Sequence, residues 1–595
     1  MAVAQPTQPE DMSHEYLAAL VERLLQDPPQ GWDEEKKMSL AYAVQMRYQQ
    51  THQQIPGIVE SKLILVELTD GSRNPLVKLV KQAGPQGTAT VEACKEVLAS
   101  AETRDISYQQ VAAVLLYLAL STGYNAKNFV AALREHRTGQ RIDWQDVVLA
   151  FDRDHLRIEK HQFLAIYNAL LPVAQDTEKF DIQALWGGQW QHDLTQLYFV
   201  VAFLSSTRQE LDVTQIPRLR TSYSLKTFEN ASDDAKSFAE EATKHPFVSL
   251  DATAALFNMI FQTSETYHTA QLMGIPDLVI NPHTAEFLVA AAAVPKPWGA
   301  LQEQALKQLF DPYFLKKLPI YNFVLYGLWK QDSQWLTDRF VDAYNADSMT
   351  LSLVLEHAET NNWLEQLIRS NTDISLDLAA QAHARGKFEL GTWLEQTFEQ
   401  AGPLFRRILT NFLSARAAEE MQRARDDHQP LNLPLAVKTV YPLLWFLAQC
   451  GLPEPELLPL QRNCIQAYPR LINYGEGVDD IIDANGQNGN SLPEEADKKM
   501  QEHFKNMYSG DSDVRDIISA LKKYKESRDP ADQDLFACMI HGLFDEYNCF
   551  GEYPLEALAT TAVLFGGIIN FNLLSRIALQ VALAMVLEAV QEYRP

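Results

Sequence analysis

The chain has 595 residues, of which 46% are hydrophobic and 22% are charged. This composition is typical of folded proteins and excludes a largely disordered chain, while the length predicts several domains or one extended repeat array. The 51 basic and 77 acidic residues give a net charge of −26, and so acidic a surface repels phosphate groups. Direct RNA binding is therefore expected to be weak or absent.

Cysteine usage and the apolar stretches predict an intracellular protein. The five cysteines include no CxxC pair, which favours reduced, buried thiols. The N-terminus is polar and acidic, unlike a signal peptide. The longest apolar stretch, 572–590, is interrupted by Asn572, Ser575, Arg576 and Gln580, which predicts a core helix rather than a membrane span. We expect the protein in the cytoplasm and the nucleus.

Most patterned segments have the three-to-four-residue period of amphipathic helices. A short apolar run at 61–72, ended by Asp70-Gly71, fits a strand and a helix equally well. The other segments predict an almost entirely helical chain. In chain order they include 16–25, 111–122, 194–206, 251–263 and 435–450.

Between residues 300 and 470, short predicted helices follow one another with connections of a few residues. This spacing is typical of stacked antiparallel helix pairs. We predict an all-α fold, an α-solenoid of HEAT-like antiparallel helix pairs followed by a small C-terminal helical domain. The predicted helices of this stretch are 300–310, 319–330, 333–344, 348–357, 361–369, 374–384, 388–399, 402–420, 434–450 and 454–468.

Changes in composition suggest boundaries near 84–105, 207–248 and 473–492. The last region has four glycines and three asparagines within 475–490, which is typical of a flexible linker or an exposed loop. The resulting domain prediction is an N-terminal helical segment at 1–100, a HEAT-like arm at 101–472, a linker at 473–490 and a C-terminal helical domain at 491–595.

The motifs of common enzymes are missing from the sequence. It contains no GxSxG, no Gly-rich phosphate loop and no HExxH. The stretch 479–490 superficially resembles a calcium loop. Counting from Asp483, however, Gln487 and Asn488 stand where such a loop places an oxygen ligand and then a glycine. We predict no enzymatic activity, no metal and no cofactor.

The cluster KKYKESR at 522–528 is the sharpest concentration of basic residues. It follows Ile517, Ile518 and Leu521 near a predicted helix C-terminus, where lysines complement the helix dipole. This structural role is favoured, and contact with an acidic peptide or RNA is the alternative.

Aromatic residues are in surplus in the C-terminal domain. Phe504, Met507 and Tyr508 share one helix face at i, i+3 and i+4 spacing, and Tyr547 and Phe550 lie at the end of a later helix and in the turn after it. The core of a small bundle explains such residues, but a hydrophobic groove that accepts an amphipathic peptide also needs them. Both interpretations stay open. The candidate peptide-binding residues are Phe504, Met507, Tyr508, Tyr547 and Phe550.

Specific strings in the chain resemble a known family. Residues 502–527, 534–554 and 560–590, with the core LFGGII and the pattern F-x-C-M-x-x-x-L-F-x-E-Y, are similar to the domain that docks tristetraprolin-type RNA-binding proteins. Residues 144–171 and 375–405 are similar to the HEAT-like arm of the same family. This family is the Not-family scaffold subunit of the carbon catabolite repression–negative on TATA-less (CCR–NOT) deadenylase complex.

The resemblance covers roughly residues 105–595 and implies a non-enzymatic platform. RNA-binding adaptors would dock through short peptide motifs and bring an mRNA to the deadenylase, which shortens the poly(A) tail and represses translation. Other Not-complex subunits would bind the arm, and nucleases would attach to regions beyond Pro595. The alternative is a general helical-repeat interaction scaffold in transport or signalling.

The spacing between the two resembling regions departs from that of animal members of the family. Those members have a long low-complexity segment between the arm and the docking domain, whereas about twenty residues intervene here. We therefore expect the two parts to pack together.

Overall fold

The computed structural model describes residues 20–592 apart from 22, 26, 52–56, 101–105, 137–141, 177–178, 371, 373 and 426–430. Within these described ranges the secondary structure is helical, without a β-strand, and the one β-bridge joins Thr221 to Ser249. The predicted all-α fold is therefore confirmed. None of the described helices is long and apolar enough to cross a membrane.

The chain divides into two compact units, Met1–Leu336 and Thr337–Pro595. The helices of the first unit, with α15 continuing past its end, are α1 Glu34–Thr51, α2 Gly57–Leu68, α3 Pro75–Ala83, α4 Val91–Ala99, α5 Tyr108–Leu120, α6 Ala126–His136, α7 Trp144–Leu149, α8 Lys160–Asp176, α9 Asp193–Leu204, α10 Asp233–Ala242, α11 Leu250–Ile260, α12 Ser264–Leu272, α13 Thr284–Ala292, α14 Ala300–Lys316 and α15 Tyr321–Ala346.

The starts of these helices follow from local sequence. The Asn74 side chain accepts hydrogen bonds from the first backbone N–H groups of α3, and Ser107 forms a capping box with Gln110 at the start of α5. The apolar run 61–72, open between strand and helix, lies largely in α2, which ends at Leu68 before the Asp70-Gly71 turn. Residues 16–19 of the predicted helix 16–25 lie outside the described residues.

Helix packing in the first unit has the pattern of stacked hairpins. Helix α4 packs on α6, α6 on α8, α9 on α11 and α11 on α13. Contacts between every second helix arise when each antiparallel pair stacks on the next, as in HEAT-like repeats. The core between α8 and α9 is aromatic, with Trp186 stacked on Phe203 at 4.0 Å between ring centroids.

The predicted boundary at 207–248 lies inside the packed first unit. Tyr223 is buried, and its ring packs edge-on against Phe228 and Phe323. The stretch contains few large apolar residues, but most of them are buried, although Leu225 is exposed. Low apolar content therefore did not mark a boundary there.

The described residues of the second unit form thirteen further helices. Most start or end within a few residues of the predicted positions, and a break in helical geometry at Asp332 of α15 falls between the predicted 319–330 and 333–344. The helices are α16 Leu351–Asn361, α17 Leu364–Arg369, α18 Ser375–Ala384, α19 Leu390–Ala401, α20 Pro403–Arg425, α21 Val437–Gln449, α22 Glu454–Ala467, α23 Asp479–Asn485, α24 Glu494–Ser509, α25 Val514–Glu526, α26 Pro530–Asp545, α27 Leu555–Asn570 and α28 Arg576–Glu592.

The predicted linker 473–490 is folded rather than an exposed loop. It contains helix α23, which packs on α26, and both Ile482 and Asn490 are buried. The Asn490 amide donates hydrogen bonds to Glu420 of α20 and to the Leu435 carbonyl. The glycines and asparagines therefore shape compact turns here. The other predicted domain boundaries remain predictions.

Buried polar contacts join the C-terminal helices to those before residue 473. The Arg470 guanidinium and the Asp534 carboxylate on α26 form a two-point ion pair, with N···O distances of 2.8 and 3.1 Å. Both side chains are almost fully buried, and Asn473 donates to Gln533 at 2.8 Å. Helix α22 also packs on α28. The residues after 490 and the preceding helices of the second unit thus share one core.

Candidate peptide-docking groove

The string LFGGII (Leu564–Ile569) lies in the C-terminal half of α27, and its residues point in different directions. Leu564 and Ile568 are buried. A Cβ atom at Gly567 would overlap the end of the Ile518 side chain on α25, so the close approach of α25 and α27 needs a glycine there. A Cβ atom at Gly566 would meet nothing within 4 Å. One glycine therefore permits helix packing and the other leaves an opening.

That opening is part of an apolar groove of about 780 Å³ between α27, α28 and the 3-10 turn Glu546–Glu552. We call it the α27–α28 groove. It is apolar because α27 and α28 each carry more apolar residues than one core-facing stripe requires. Its lining residues are Tyr547, Phe550, Leu558, Thr561, Ala562, Phe565, Gly566, Ile569, Asn570, Met585, Val586, Ala589 and Val590.

Aromatic rings form one side of the groove, which we call the aromatic edge (Tyr547, Phe550 and Tyr553). The ring of Phe550 packs against Tyr547 at 5.8 Å, Tyr553 at 5.3 Å and Phe565 at 6.0 Å. The Tyr547 hydroxyl donates a 2.8 Å hydrogen bond to the Met585 carbonyl oxygen. This bond fixes the 3-10 turn to α28, so the edge is held in place without a ligand.

The apolar surface continues from the groove over the outer side of α28. Leu583, Val586, Leu587 and Val590 are exposed, with Leu587 at 61% and Val590 at 58%. Single exposed apolar residues are common, whereas a contiguous group beside a groove marks an interaction site. Helix α28 therefore has more apolar surface than its own domain covers.

Two of the five candidate residues line the groove and three do not. Tyr547 and Phe550 are lining residues. Met507 is buried in the domain, and Phe504 packs near Gly542 where α24 meets α26. The i, i+3, i+4 pattern identified the packed face of α24, but core and groove residues share that pattern. Met507 therefore belongs to the core of the domain, whereas Phe504 is half-buried outside the groove and its part in peptide binding stays a prediction.

Tyr508 lies behind the groove wall. Its hydroxyl group is 2.8 Å from the hydroxyl of Thr561, a lining residue, and its ring packs edge-on against Tyr553 at 6.1 Å. Burial raises the pKa of the Tyr508 hydroxyl, which keeps it protonated at neutral pH. Tyr508 supports the position of α27 and of the aromatic edge.

The basic cluster at 522–528 has a structural role in which one lysine bridges several elements. Lys525 Nζ donates to the carbonyl oxygens of Asn572 and Leu573, at 3.0 and 3.1 Å, and forms an ion pair with Glu476 at 2.8 Å. It thereby satisfies carbonyl groups at the turn between α27 and α28. The favoured structural interpretation agrees with these contacts.

The calcium-like stretch is helical over Asp479–Asn485, and the Asp479 carboxylate accepts a hydrogen bond from the Gly475 N–H at 2.6 Å. In the part of the chain that the structure describes, no group of three or more His, Cys, Asp or Glu side chains could hold a metal ion.

Sequence reasoning missed the groove residues on α27 and α28. Leu558, Ala562 and Ile569 on α27, and Val586 and Val590 on α28, were read only as helix core. A signal was available in the sequence, because 576–590 has few polar positions to face solvent.

Two family models match the chain. The CCR4-NOT transcription complex subunit 1 HEAT repeat matches residues 303–448, and the CCR4-NOT transcription complex subunit 1 TTP binding domain matches residues 470–594. The second match contains the whole α27–α28 groove.

Curated relatives and a solved structure agree with these matches. A Schizosaccharomyces pombe protein named General negative regulator of transcription subunit 1 is 26% identical over 557 residues, which are 90% of this chain and 25% of that protein. The Saccharomyces cerevisiae protein of the same name is 38% identical over 156 residues, 25% of this chain and 7% of its own length. The chain thus spans about a quarter of the first relative.

The solved structure described as the N-terminal domain of the yeast Not1 has a TM-score of 0.55 to this chain, at 20% identity, and covers 82% of this chain and 89% of its own. At this identity the likeness shows the fold alone.

Proposed function

Because the chain belongs to the CCR4-NOT subunit 1 family, we propose that it is a scaffold of that complex whose α27–α28 groove docks short amphipathic segments of RNA-binding adaptors. The groove carries this proposal. It is apolar, is partly built by a hydrogen bond that needs no ligand, and lies inside the stretch matched by the TTP binding domain. An amphipathic helix placed in such a groove buries its apolar face.

The lining favours binding over catalysis. Among the lining residues Tyr547 is the one titratable side chain, and its hydroxyl is used to hold α28. General acid–base catalysis needs groups positioned to move protons at the reacting atoms. A groove whose walls are methyl, methylene and aromatic groups supplies contact area instead, so we propose a non-enzymatic role.

On this proposal, docked adaptors bring their mRNA to the deadenylase of the complex, and shortening of the poly(A) tail leads to mRNA decay and translational repression. Other subunits of the complex bind the helical repeats. The protein acts in the cytoplasm and the nucleus, where its adaptors meet mRNA.

The test is to fill the groove without disturbing the core. Gly566→Trp places an indole in the opening, where even a Cβ meets no neighbouring atom. We expect the full chain with this change to lose affinity for a fluorescent amphipathic adaptor peptide by at least about tenfold, which is about 1.4 kcal/mol. The matched control is Ala418→Trp at an exposed position of α20, which should bind as the unchanged chain does.

Unchanged affinity of Gly566→Trp would refute docking in the groove. The same substitution made in the endogenous gene then tests the cellular role. Reporter mRNAs that recruit the adaptor should keep longer poly(A) tails in the Gly566→Trp cells than in the Ala418→Trp cells. Equal tail lengths, with the groove blocked in the binding assay, would contradict a role in deadenylation.

A further inference from the structure

Carboxylates surround the aromatic edge of the α27–α28 groove. The stretch from Asp545 to Gln591, which covers the 3-10 turn, α27 and all of α28 except its last residue, Glu592, has five acidic residues and one basic residue, with no lysine or histidine. All five carboxylates are exposed. They are Asp545, Glu546, Glu552, Glu556 and Glu588.

Contacts place two of these carboxylates beside the rings, and the sequence puts Glu552 directly before Tyr553 and Glu556 two residues before the lining residue Leu558. Glu546 Oε2 accepts a 2.9 Å hydrogen bond from the Tyr553 hydroxyl, and Glu546 directly precedes Tyr547 in the chain. Arg462 of α22 connects Glu588 to the same edge, because it forms an ion pair with Glu588 at 2.9 Å and lies over the Tyr547 ring at 5.8 Å. The carboxylates of α28 and of the 3-10 turn thus meet at one edge.

Among the described residues, the cations that contact this region are each engaged, and Lys525 bonds to the Asn572 and Leu573 carbonyls and to Glu476 as described above. Arg462 contacts Glu588, as described above. The Arg576 guanidinium hydrogen-bonds the Tyr441 hydroxyl and lies over the Trp445 ring at 5.5 Å. None of these cations lines the groove. Glu588 is thus paired with Arg462, whereas Asp545, Glu546, Glu552 and Glu556 form no ion pair within the described residues, and these four give the edge a net negative border.

We infer that the groove, if it docks adaptors as proposed above, selects amphipathic helical segments whose apolar stripe is flanked by Arg or Lys. The apolar stripe fills the groove, and the flanking cations lie against the carboxylates of the aromatic edge. An acidic flank meets like charge and is rejected. A border of carboxylates selects by attracting segments with basic flanks and by repelling segments with acidic flanks.

The expected size of the preference for basic flanks follows from the solvent exposure of the carboxylates. Ion pairs between exposed side chains are each worth a factor of about 1.4 to 5 in affinity. Several such contacts around one groove give a total of about tenfold. Salt screens exposed charges, because the Debye length falls from about 14 Å at 0.05 M to about 4 Å at 0.5 M. The preference for basic flanks should therefore be strong at low salt and small at high salt.

The experiment uses the full chain and three designed helical peptides of about 16 residues with one shared apolar stripe of Leu and Phe at i, i+3, i+4 and i+7 spacing. Their flanks are Arg, Gln or Glu. Dissociation constants are measured by fluorescence anisotropy at about 0.05 M and 0.5 M salt. The test variant is Glu552→Gln/Glu556→Gln. The control is Glu395→Gln/Glu399→Gln, which neutralises two exposed carboxylates on α19.

We expect the Arg-flanked peptide to bind about tenfold more tightly than the Gln-flanked peptide at low salt. The Glu-flanked peptide should bind least. The advantage of Arg should shrink at high salt and in the test variant, and persist in the control variant.

Equal affinity of the Arg- and Gln-flanked peptides would overturn the inference and leave groove docking intact, provided that Gly566→Trp still abolishes binding of both. An Arg advantage that falls equally in the test and control variants would also overturn it, because the preference would then come from the net charge of the chain. Failure of all three peptides to bind would refute groove docking, and the inference with it.

Discussion

The two adjacent glycines of α27 should respond in opposite ways to the same added methyl group. Gly566→Ala puts a Cβ into the open groove, and Gly567→Ala puts one against Ile518 of α25. Both positions are in the interior of one helix, so the intrinsic gain in helix propensity is equal. The comparison therefore isolates the packing between α25 and α27.

The expected magnitudes follow from that geometry. Alanine is favoured over glycine in a helix interior by about 1 kcal/mol, so Gly566→Ala should stabilise α27 by about 0.5–1 kcal/mol. Gly567→Ala gains the same amount but forces Ile518 aside, and overpacking of a core costs about 1–3 kcal/mol. The two variants should differ by about 1–3 kcal/mol, with Gly567→Ala the less stable.

Hydrogen exchange of the full chain, followed by mass spectrometry, measures this difference in stability at α27 itself. Exchange of the α27 amides reports the free energy of opening that part of the fold. Each tenfold change in protection corresponds to about 1.4 kcal/mol. The double variant Ile518→Val/Gly567→Ala deletes the overlapping Cδ1 methyl group, and should be more stable than the sum of its single changes. Equal stabilisation by Gly566→Ala and Gly567→Ala would refute the packing argument.

Three further changes test other contacts. Tyr547→Phe keeps the ring but loses the hydrogen bond to α28. The opening free energy of the α28 amides, measured by hydrogen exchange, should fall by about 1 kcal/mol. Unchanged protection would mean that this hydrogen bond does not hold the helix. Burial lowers the pKa of His245 from 6.5 to about 4, so protonation of His245 favours unfolding. The free energy of unfolding should therefore fall by about 3 kcal/mol as the pH drops from 6.5 to about 4. In His245→Asn the melting temperature should depend less steeply on pH over this range, and an equal dependence would contradict the argument. Asp534→Ala leaves the buried Arg470 guanidinium without its carboxylate partner and should lower the stability of the fold by about 3–5 kcal/mol. Proteolysis at 473–490 should then be faster. Adding Arg470→Met removes the unpaired charge and should restore much of the resistance to proteolysis.

Helix positions were predictable because they rest on local signals. Turn residues and the period of apolar positions located nearly every helix between 300 and 470, including the break at Asp332. The segment 473–490 was misjudged because its glycines and asparagines have two uses. They form flexible linkers, and they also allow compact turns whose side chains bond to the core, as Asn490 does with Glu420. Composition does not distinguish the two, since the difference lies in residues distant in sequence.

The groove was only partly predictable for a related reason. Aromatic residues and methionine are used in cores and in binding surfaces alike, so residue type did not separate Met507 from Tyr547, although Met507 is buried in the bundle and Tyr547 lines the groove. The better signal is the width of the apolar arc on each helix. A helix that packs on one side needs one apolar stripe. Helix α28 has Ile577 and Val581 facing the core, and also Leu583 and Leu587 exposed to solvent.

Such an excess of apolar surface weakens solubility unless something covers it. A sequence search for docking helices should therefore look for apolar residues beyond the stripe that the fold can bury, rather than for aromatic residues. The border of carboxylates around the aromatic edge fits the same logic, because charge beside an exposed apolar surface limits self-association while it leaves the surface open to a segment of opposite charge.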